Sequence, residues 1–375
     1  MSSEVPNLPR DVMFDILSRV PIKSLLQFRC VAKSWPPLIA HPHFIKLHLA
    51  RSTSDPTQGC HFLLYYESSD YTKDSYSLRC INTFDEHMNL EFPFKSVHGY
   101  IRIVGSSRGL ICLFDTNYFT YIGRIILWNP VIRKSKFIPN SHLSHRFRDS
   151  FSHMVVGFGF VSKIDDYKVV QILYDSDRLA IPDVLVYTMK SNFWRKVGAV
   201  APCYIPKCWT NNVYVNGTVH WMAYKRPKED GVCDSIMSFD MSDEVFWEMG
   251  MPNNLSLNYN KVHLAVSDSG ESLALILYFE SGLGDWWEIW FMNEYGVVES
   301  WTKQFIIEQA QISFPLCFLN NGELLFVLYN GKLVFYDPGD QQVKDLEIYG
   351  LPGSFRVVSY MTSLVLLDGG NEVLE

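Results

Sequence analysis

The chain changes its hydrophobic period once. Up to about Leu49 the apolar residues recur at helical spacing. Val12, Ile16, Leu17 and Val20 form one set, and Ile22, Leu25, Leu26 and Phe28 a second. A third short segment spans Val31 to Ile39, and a fourth follows Pro42 with Phe44, Ile45, Leu47 and Leu49. Pro9 and Pro21 stand where a helix start tolerates proline. Asp11 and Asp15 lie early in the first helix and Arg19 late, in accord with the helix dipole. Pro36-Pro37 removes two backbone donors and is expected to break or shift the third helix. Three or four short helices in fifty residues cannot bury all these faces themselves. The surplus apolar surface predicts an interface with another protein.

Beyond Arg51 the period falls to two, after a single polar stretch over 52–59. The expected organisation is a helical module over 1–50, a linker over 51–59 and a β-domain over 60–370. Within the β-domain one pattern recurs five times: an apolar strand, a turn, then a strand with basic or aromatic residues. The copies are IILWNPVIRKSKFIP (125–139), VLVYTMKSNFWRKVG (184–198), IMSFDMSDEVFWEMGMP (236–252), EIWFMNEYGVVESWTK (288–303) and LVFYDPGDQQVKDLEI (333–348). Taking Trp128, Tyr187, Phe239, Phe291 and Tyr336 as equivalent, the spacings are 59, 52, 52 and 45. That is close to the roughly 50 residues of a four-stranded kelch blade. A second strand pair precedes each copy, and Asn216-Gly217, Asn321-Gly322 and Asn330-Gly331 spell type I′ hairpin turns. Five blades come from 99–350. HFLLYYESS and SYSLRCINTF, with FRVVSYMTSLVLLD (355–368), supply a sixth, so the edges close on each other. The fold class expected is mainly β with a small α N-terminal domain: a three-helix module and a kelch-like, roughly six-bladed β-propeller.

Two stretches carry a family resemblance. The string Leu8-Pro9-x-Asp11-x4-Ile16-Leu17-x-Arg19-x-Pro21-x-Lys23-Ser24-Leu25-x2-Phe28-Arg29-Cys30-Val31-x-Lys33-Ser34-Trp35, followed by Leu38-Ile39 and Pro42-x-Phe44, resembles a plant F-box over residues 7–49. GSSRGLICL…LWNPVIRK, DYKVVQI, VNGTVHWMA, SFDMSDEVF and SYMTSLVLL resemble the plant F-box-associated domain. Among its branches they are similar to S-locus F-box and S-locus F-box-like proteins. True kelch repeats differ, since no Gly-Gly dipeptide recurs. The resemblance implies a substrate-recognition subunit of an SCF-type ubiquitin ligase, with no catalysis of its own. The F-box would dock a Skp-type adaptor, and through it cullin, by Leu8, Pro9, Ile16, Leu17, Pro21, Leu25, Val31 and Trp35. The β-domain would present a target protein, an S-RNase if the S-locus likeness extends that far. A scaffold outside any ligase and a propeller enzyme are the alternatives.

Charge sharpens the two-module picture. The net charge is −7. Residues 1–51 hold seven Lys/Arg against three acids, a net of +4, which leaves −11 for the rest. A basic head on an acidic body suits two partners, and an acidic protein fits the head better than nucleic acid does. Hydrophobic residues at 47% supply a core, and aromatics at 15% favour sheet. The eight cysteines lack metal-ligand or disulfide spacing and read as reduced thiols, which points to the cytoplasm or nucleus. The sequence carries no apolar run long enough for a signal or membrane segment. No nucleic-acid or membrane partner is expected.

The catalytic candidates are weak. Gly105-Ser106-Ser107-Arg108-Gly109 matches a nucleophile elbow, but LICLF follows where a helix is needed, so it reads as a hairpin turn. His41-x-His43 flanks a proline with no further ligand nearby in sequence. His220 sits in an alternating strand, and Asp165-Asp166 and Glu229-Asp230 fall in turns. Nothing calls for a cofactor or metal. Target contacts are expected on the loops 67–76, 116–123, 140–153, 175–183, 225–234, 253–260 and 281–285. His142, His145, Arg146 and Arg148 make 140–153 locally basic and the foremost candidate.

Overall fold

The computed structural model describes residues 9–31, 33, 35–54, 60–68, 74–92, 94, 96, 100–116, 123–141, 153–175, 180–206, 212–225, 233–253, 255, 259–267, 269–281, 284–308, 311–319 and 321–365. Four helices come first: α1 (Arg10–Leu17), α2 (Ile22–Phe28), α3 (Trp35–Ile39) and α4 (Pro42–Ser54). Strands follow in six antiparallel four-stranded sheets, the blades of a β-propeller. From the axis outward, blade I holds Arg356–Met361, Cys60–Glu67, Asp74–Cys80 and Glu86–Leu90. Blade II holds Tyr100–Ser107, Leu110–Thr116, Gly123–Asn129 and Lys134–Phe137, and blade III His153–Val161, Asp166–Tyr174, Asp183–Thr188 and Phe193–Val197. Blade IV holds Val213–Val215, Thr218–Ala223, Ser235–Asp240 and Phe246–Met249, and blade V Lys261–Val266, Leu273–Phe279, Trp286–Met292 and Trp301–Ile307. Blade VI holds Ile312–Phe318, Leu324–Leu328, Lys332–Tyr336 and Val343–Tyr349.

The repeat read from sequence is the blade. Trp128, Tyr187, Phe239, Phe291 and Tyr336 all lie on third strands. Blade I is composite: Arg356–Met361 pairs with Cys60–Glu67, setting Leu63 opposite Val358. This pairing covers an edge that would otherwise expose a row of backbone donors and acceptors. Second and third strands are apolar on both faces because each blade is sandwiched between two others. Leu110–Thr116, Asp166–Tyr174 and Leu273–Phe279 are buried along their whole length. Outermost strands alternate instead, as in Phe193–Val197, where only Trp194 is buried. One apolar cluster fills each of the six boundaries between blades, with Trp128, Trp221, Trp287 and Phe326 among the fully buried rings.

Of the three Asn-Gly turns, only Asn216-Gly217 has both residues at positive φ, 50° and 79°, as a type I′ turn requires. At 321–322 and 330–331 the glycine alone is left-handed, with φ of 85° and 79°. The Gly331 N–H donates to Leu328 O at 2.9 Å, which suits a three-residue hairpin in which the glycine is the bulge residue. The turn residues are the expected ones, but each of these two loops is longer than an I′ turn. No helix among the described residues is long and apolar enough to cross a membrane.

Alternating strand direction sorts the connections onto two faces. Links from first to second and from third to fourth strand lie on one face and are mostly tight, as at 108–109, 130–133, 162–165, 189–192 and 216–217. Links from second to third strand and from blade to blade leave the opposite face. All seven segments singled out as target loops belong to this second set, by the strand ends that flank them.

A buried histidine gives the propeller an acid limit. His220 is fully buried, and its ring nitrogens lie 2.7 Å from Ser238 Oγ and 3.0 Å from Tyr295 OH. Burial pushes its pKa down to about 3. The unfolded chain, with an imidazole near 6.5, therefore takes up the proton first as pH falls. Stability from this residue is complete above about pH 6.5 and is lost progressively toward pH 3, with about 2 kcal/mol gone by pH 5. His263, whose Nε2 is shut off from solvent, is pushed down to about 3 in the same way. Urea titrations at pH 7 and pH 5 should show His220→Gln losing about 2 kcal/mol less than the parent between the two conditions. Equal losses would contradict the assignment.

Candidate adaptor-docking face

The helical module is built from one side of each helix. Helix α1 buries Phe14 and Leu17, α2 buries Ile22 and Leu25, and Ile39 and Phe44 complete the cluster. Phe14 packs on Phe44 at 5.4 Å between ring centroids, and Phe28 meets Trp35 edge to face at 5.2 Å. Pro9 and Pro21 take the N-cap positions of α1 and α2. Pro36 and Pro37 leave the third helix unbroken but shorter than the expected Val31–Ile39 segment, its start shifted to Trp35. The helix starts at Trp35, so both prolines fall in its first turn, where backbone N–H groups have no intrahelical acceptor to lose. Asp15 fastens the ends of the module together. Its carboxylate accepts from Arg19 and Arg51, and the Arg51 Nη1 also donates to Asp15 O at 3.0 Å. The Arg51 guanidinium holds the Asp15 carboxyl below the usual carboxylate range.

The module does not stand apart from the propeller. Leu364, which follows the closing strand, is 1% exposed within the helical cluster, with Val131 and Ile132 of the 130–133 turn packed beside it. From the other direction Leu49 of α4 joins the cluster between blades II and III. Lys46 pairs with Asp165 of the 162–165 turn. The helices thus sit on the face of tight turns, and shared packing fixes them there.

Against that frame of contacts the candidate residues divide. Ile16 is 49% exposed and Val31 72%, and Pro9 and Pro21 are exposed at helix starts. Trp35 is half-buried against Phe28. Leu17 and Leu25, at 4% and 0% exposure, lie in the module's own core, beneath the exposed candidates. Leu8 lies outside the described residues. Val12, 42% exposed, was missed as a candidate contact. Its spacing of four from Ile16 puts the two on one side of α1, a signal present in the sequence. The basic target-loop candidates His142, His145, Arg146 and Arg148 lie outside the described residues.

The catalytic candidates have structural employment. Arg108-Gly109 is a hairpin turn with φ of 40° and 84°, and Ser107 Oγ accepts the Phe160 N–H at 3.1 Å. His41 Nδ1 accepts the His43 N–H at 3.3 Å, with both rings beside Phe14. Asp166 accepts the backbone N–H groups of Tyr167 and Lys190 at 2.8 and 3.0 Å. Glu229-Asp230 falls outside the described residues. Among the described residues, no group of three His, Cys, Asp or Glu is placed to hold a metal ion.

Comparison with known proteins joins the two halves. The F-box domain model matches residues 5–47, and the F-box associated beta propeller domain model matches residues 59–366. F-box protein At3g07870 of Arabidopsis thaliana is 28% identical over 410 residues, covering 96% of this chain and 92% of that one. F-box protein CPR1 of the same plant is 27% identical over 385 residues, covering 96% and 89%. F-box/kelch-repeat protein At3g23880, also from Arabidopsis thaliana, is 27% identical, covering 88% of each. Among solved structures, TolB from Acinetobacter baumannii aligns with 85% of this chain and 72% of its own, at 10% identity and a TM-score of 0.47. The helical head and the six-bladed body are thus parts of one known arrangement, and the chain belongs to the F-box proteins that carry an F-box associated β-propeller domain.

Proposed function

We propose that the chain is the substrate-recognition subunit of an SCF-type ubiquitin ligase. Its helices dock a Skp-type adaptor, and through it cullin, while the propeller presents a target protein for ubiquitination. One observation carries the reading: the two ends of the molecule are different and rigidly joined. The helical module, with Val12, Ile16 and Val31 turned outward, is packed on the face of tight turns through Leu364, Val131 and Leu49. Long connections leave the opposite face. A rigid body that grips an adaptor at one end and a target at the other fixes the distance between them, which is what presentation of a lysine requires. The chain itself supplies no chemistry in this role. It acts wherever the ligase core resides, in cytoplasm or nucleus.

On this reading the basic segment 140–153 engages the target. Replacing 142–150 by a Gly-Ser segment should weaken target capture at least tenfold and leave retention by a purified Skp-type adaptor unchanged. Loss of both would sink this division of labour. Failure of the parent chain to bind any Skp-type adaptor would defeat the central reading. The finer reading, an S-locus-type factor acting on an S-RNase, rests on the likeness of the propeller segments to that branch. Direct titration with purified S-RNases tests it, and absence of saturable binding would remove it while leaving the ligase role intact.

A further inference from the structure

A cleft of 540 Å³ opens at the seam between α4 and the face of tight turns. That volume is in the range that encloses a small organic molecule. Its floor is the apolar packing between blades II and III, reached through Ile45, Leu49, Phe160, Met189 and Val365. Its rim is cationic, with Lys46, Arg108, Lys136 and Lys190 against one lining acid, Asp165.

The balance of partners around that rim is uneven. Asp165 is already engaged: it pairs with Lys46 and lies 3.8 Å from Lys190. Asp166, beside it, spends both carboxylate oxygens on backbone N–H groups. Arg108 lies over the Phe160 ring at 4.2 Å and reaches Ser162 Oγ only at 3.4 Å. The Lys136 ammonium, on a strand paired through its backbone, has no ion pair or hydrogen bond among the described residues. Lys136 stands opposite Leu127 across the sheet, so the two side chains share a face, and Leu127 lies in the floor's core. The stem of Lys136 therefore runs along apolar surface to the cleft. Burial lowers its pKa, and the Asp166 charge only partly offsets this. A half-buried ammonium above an apolar floor, with no direct ion pair among the described residues and only the already-bonded Asp166 charge nearby, is a costly arrangement that an anion would relieve.

We propose that this cleft binds a small amphipathic carboxylate, its apolar body seated on Leu49, Phe160 and Met189 and its head on Lys136 and Arg108. A carboxylate suits the planar fork of Arg108 together with one ammonium. An apolar tail of about twelve carbons matches the enclosed space. The ligand would touch both α4 and the propeller, and so would brace the seam between the adaptor-docking helices and the target-presenting body. The binding claim itself does not depend on the ligase reading.

The test is calorimetric titration of the full chain with dodecanoate below its micelle concentration, with dodecanol as the uncharged control. One saturable site is expected, with dodecanol at least tenfold weaker. Lys136→Met, which keeps the stem and removes the charge, should weaken dodecanoate about tenfold and leave dodecanol unchanged. Ala50→Trp, which adds bulk to a lining position, should abolish both. Lys163→Met, on the same propeller face but outside the lining, should change neither. Should Lys136→Met fail to fold by circular dichroism, Lys136→Gln takes its place. Absence of saturable binding, or binding indifferent to both Lys136→Met and Ala50→Trp, overturns the proposal; the latter would mean adsorption of the tail elsewhere.

Discussion

Replacing Ile16 and Val31 together by glutamate is expected to reduce adaptor affinity about a thousandfold while the protein stays folded. Both side chains are solvent-exposed, at 49% and 72%, so neither contributes much core packing, and surface exchanges of this kind usually shift stability by about 0.5 kcal/mol or less. Glutamate also keeps a good helix former in α1. In a docked complex the same change removes two apolar contacts and places two carboxylates in a drying interface. Each such loss at an interface centre costs roughly 2 kcal/mol, and about 4 kcal/mol together is close to a thousandfold. The effect should be visible as loss of retention on a purified Skp-type adaptor, with an unchanged melting curve. Leu25→Glu is the contrast, because Leu25 is fully buried and its replacement should lose fold and binding together. Full adaptor affinity in the Ile16→Glu/Val31→Glu protein would mean that docking uses another surface.

The second large effect concerns the closure of the ring. Asn129 is fully buried at the end of a third strand in blade II. Its Nδ2 donates to Ser363 O and Val365 O, each at 2.9 Å, and its Oδ1 accepts from Tyr360 OH at 2.7 Å. Ser363, itself fully buried, donates through Oγ to Gly109 O at 3.2 Å. These bonds latch the segment after the closing strand to blade II, next to the point where Leu364 enters the helical cluster. Asn129→Ala takes the side-chain donor from two buried carbonyls and the acceptor from the Tyr360 hydroxyl proton, whose oxygen keeps only the Val131 backbone contact. A loss of about 3 kcal/mol is expected in urea titration, with faster hydrogen exchange over 356–361. Asn129→Asp should be worse, since it sets a carboxylate against two carbonyl oxygens in a buried site. A stability within experimental error of the parent would show that the latch is dispensable.

Much of the fold was legible because it rests on local patterns. The five aromatic markers from Trp128 to Tyr336 fell on third strands because a blade's middle strands are apolar on both faces and leave a strong, repeated mark. The composite blade I was legible for a different reason, the need to cover a bare edge. Within the helical head the reading was less complete. Ile16 and Leu17, adjacent and both apolar, point in different directions, and an apolar run cannot say which residue faces the core when the helices are this short. For the same reason the run left the burial of Leu25 in the core open, and Pro36-Pro37 shifted the helix start instead of breaking the helix because a proline's effect depends on where the helix begins. The bond from Asn129 to residues more than two hundred positions away left no sequence signal at all. Nor did the cleft above Leu49, since it exists only where two modules meet.

Composite blade I also sets a schedule. Cys60–Glu67 forms early in synthesis, but its inner neighbour Arg356–Met361 emerges about 290 residues later, an interval of roughly 15–60 seconds at ordinary rates of translation. For that time an apolar strand carries an open edge, and the helical head waits for Leu364 to finish its core. A nascent chain interrupted before that point would hold a recognisable head on an unsealed ring, a form suited to chaperone retention and disposal. Closure by a late strand therefore ties the final packing of the head to the final sealing of the ring.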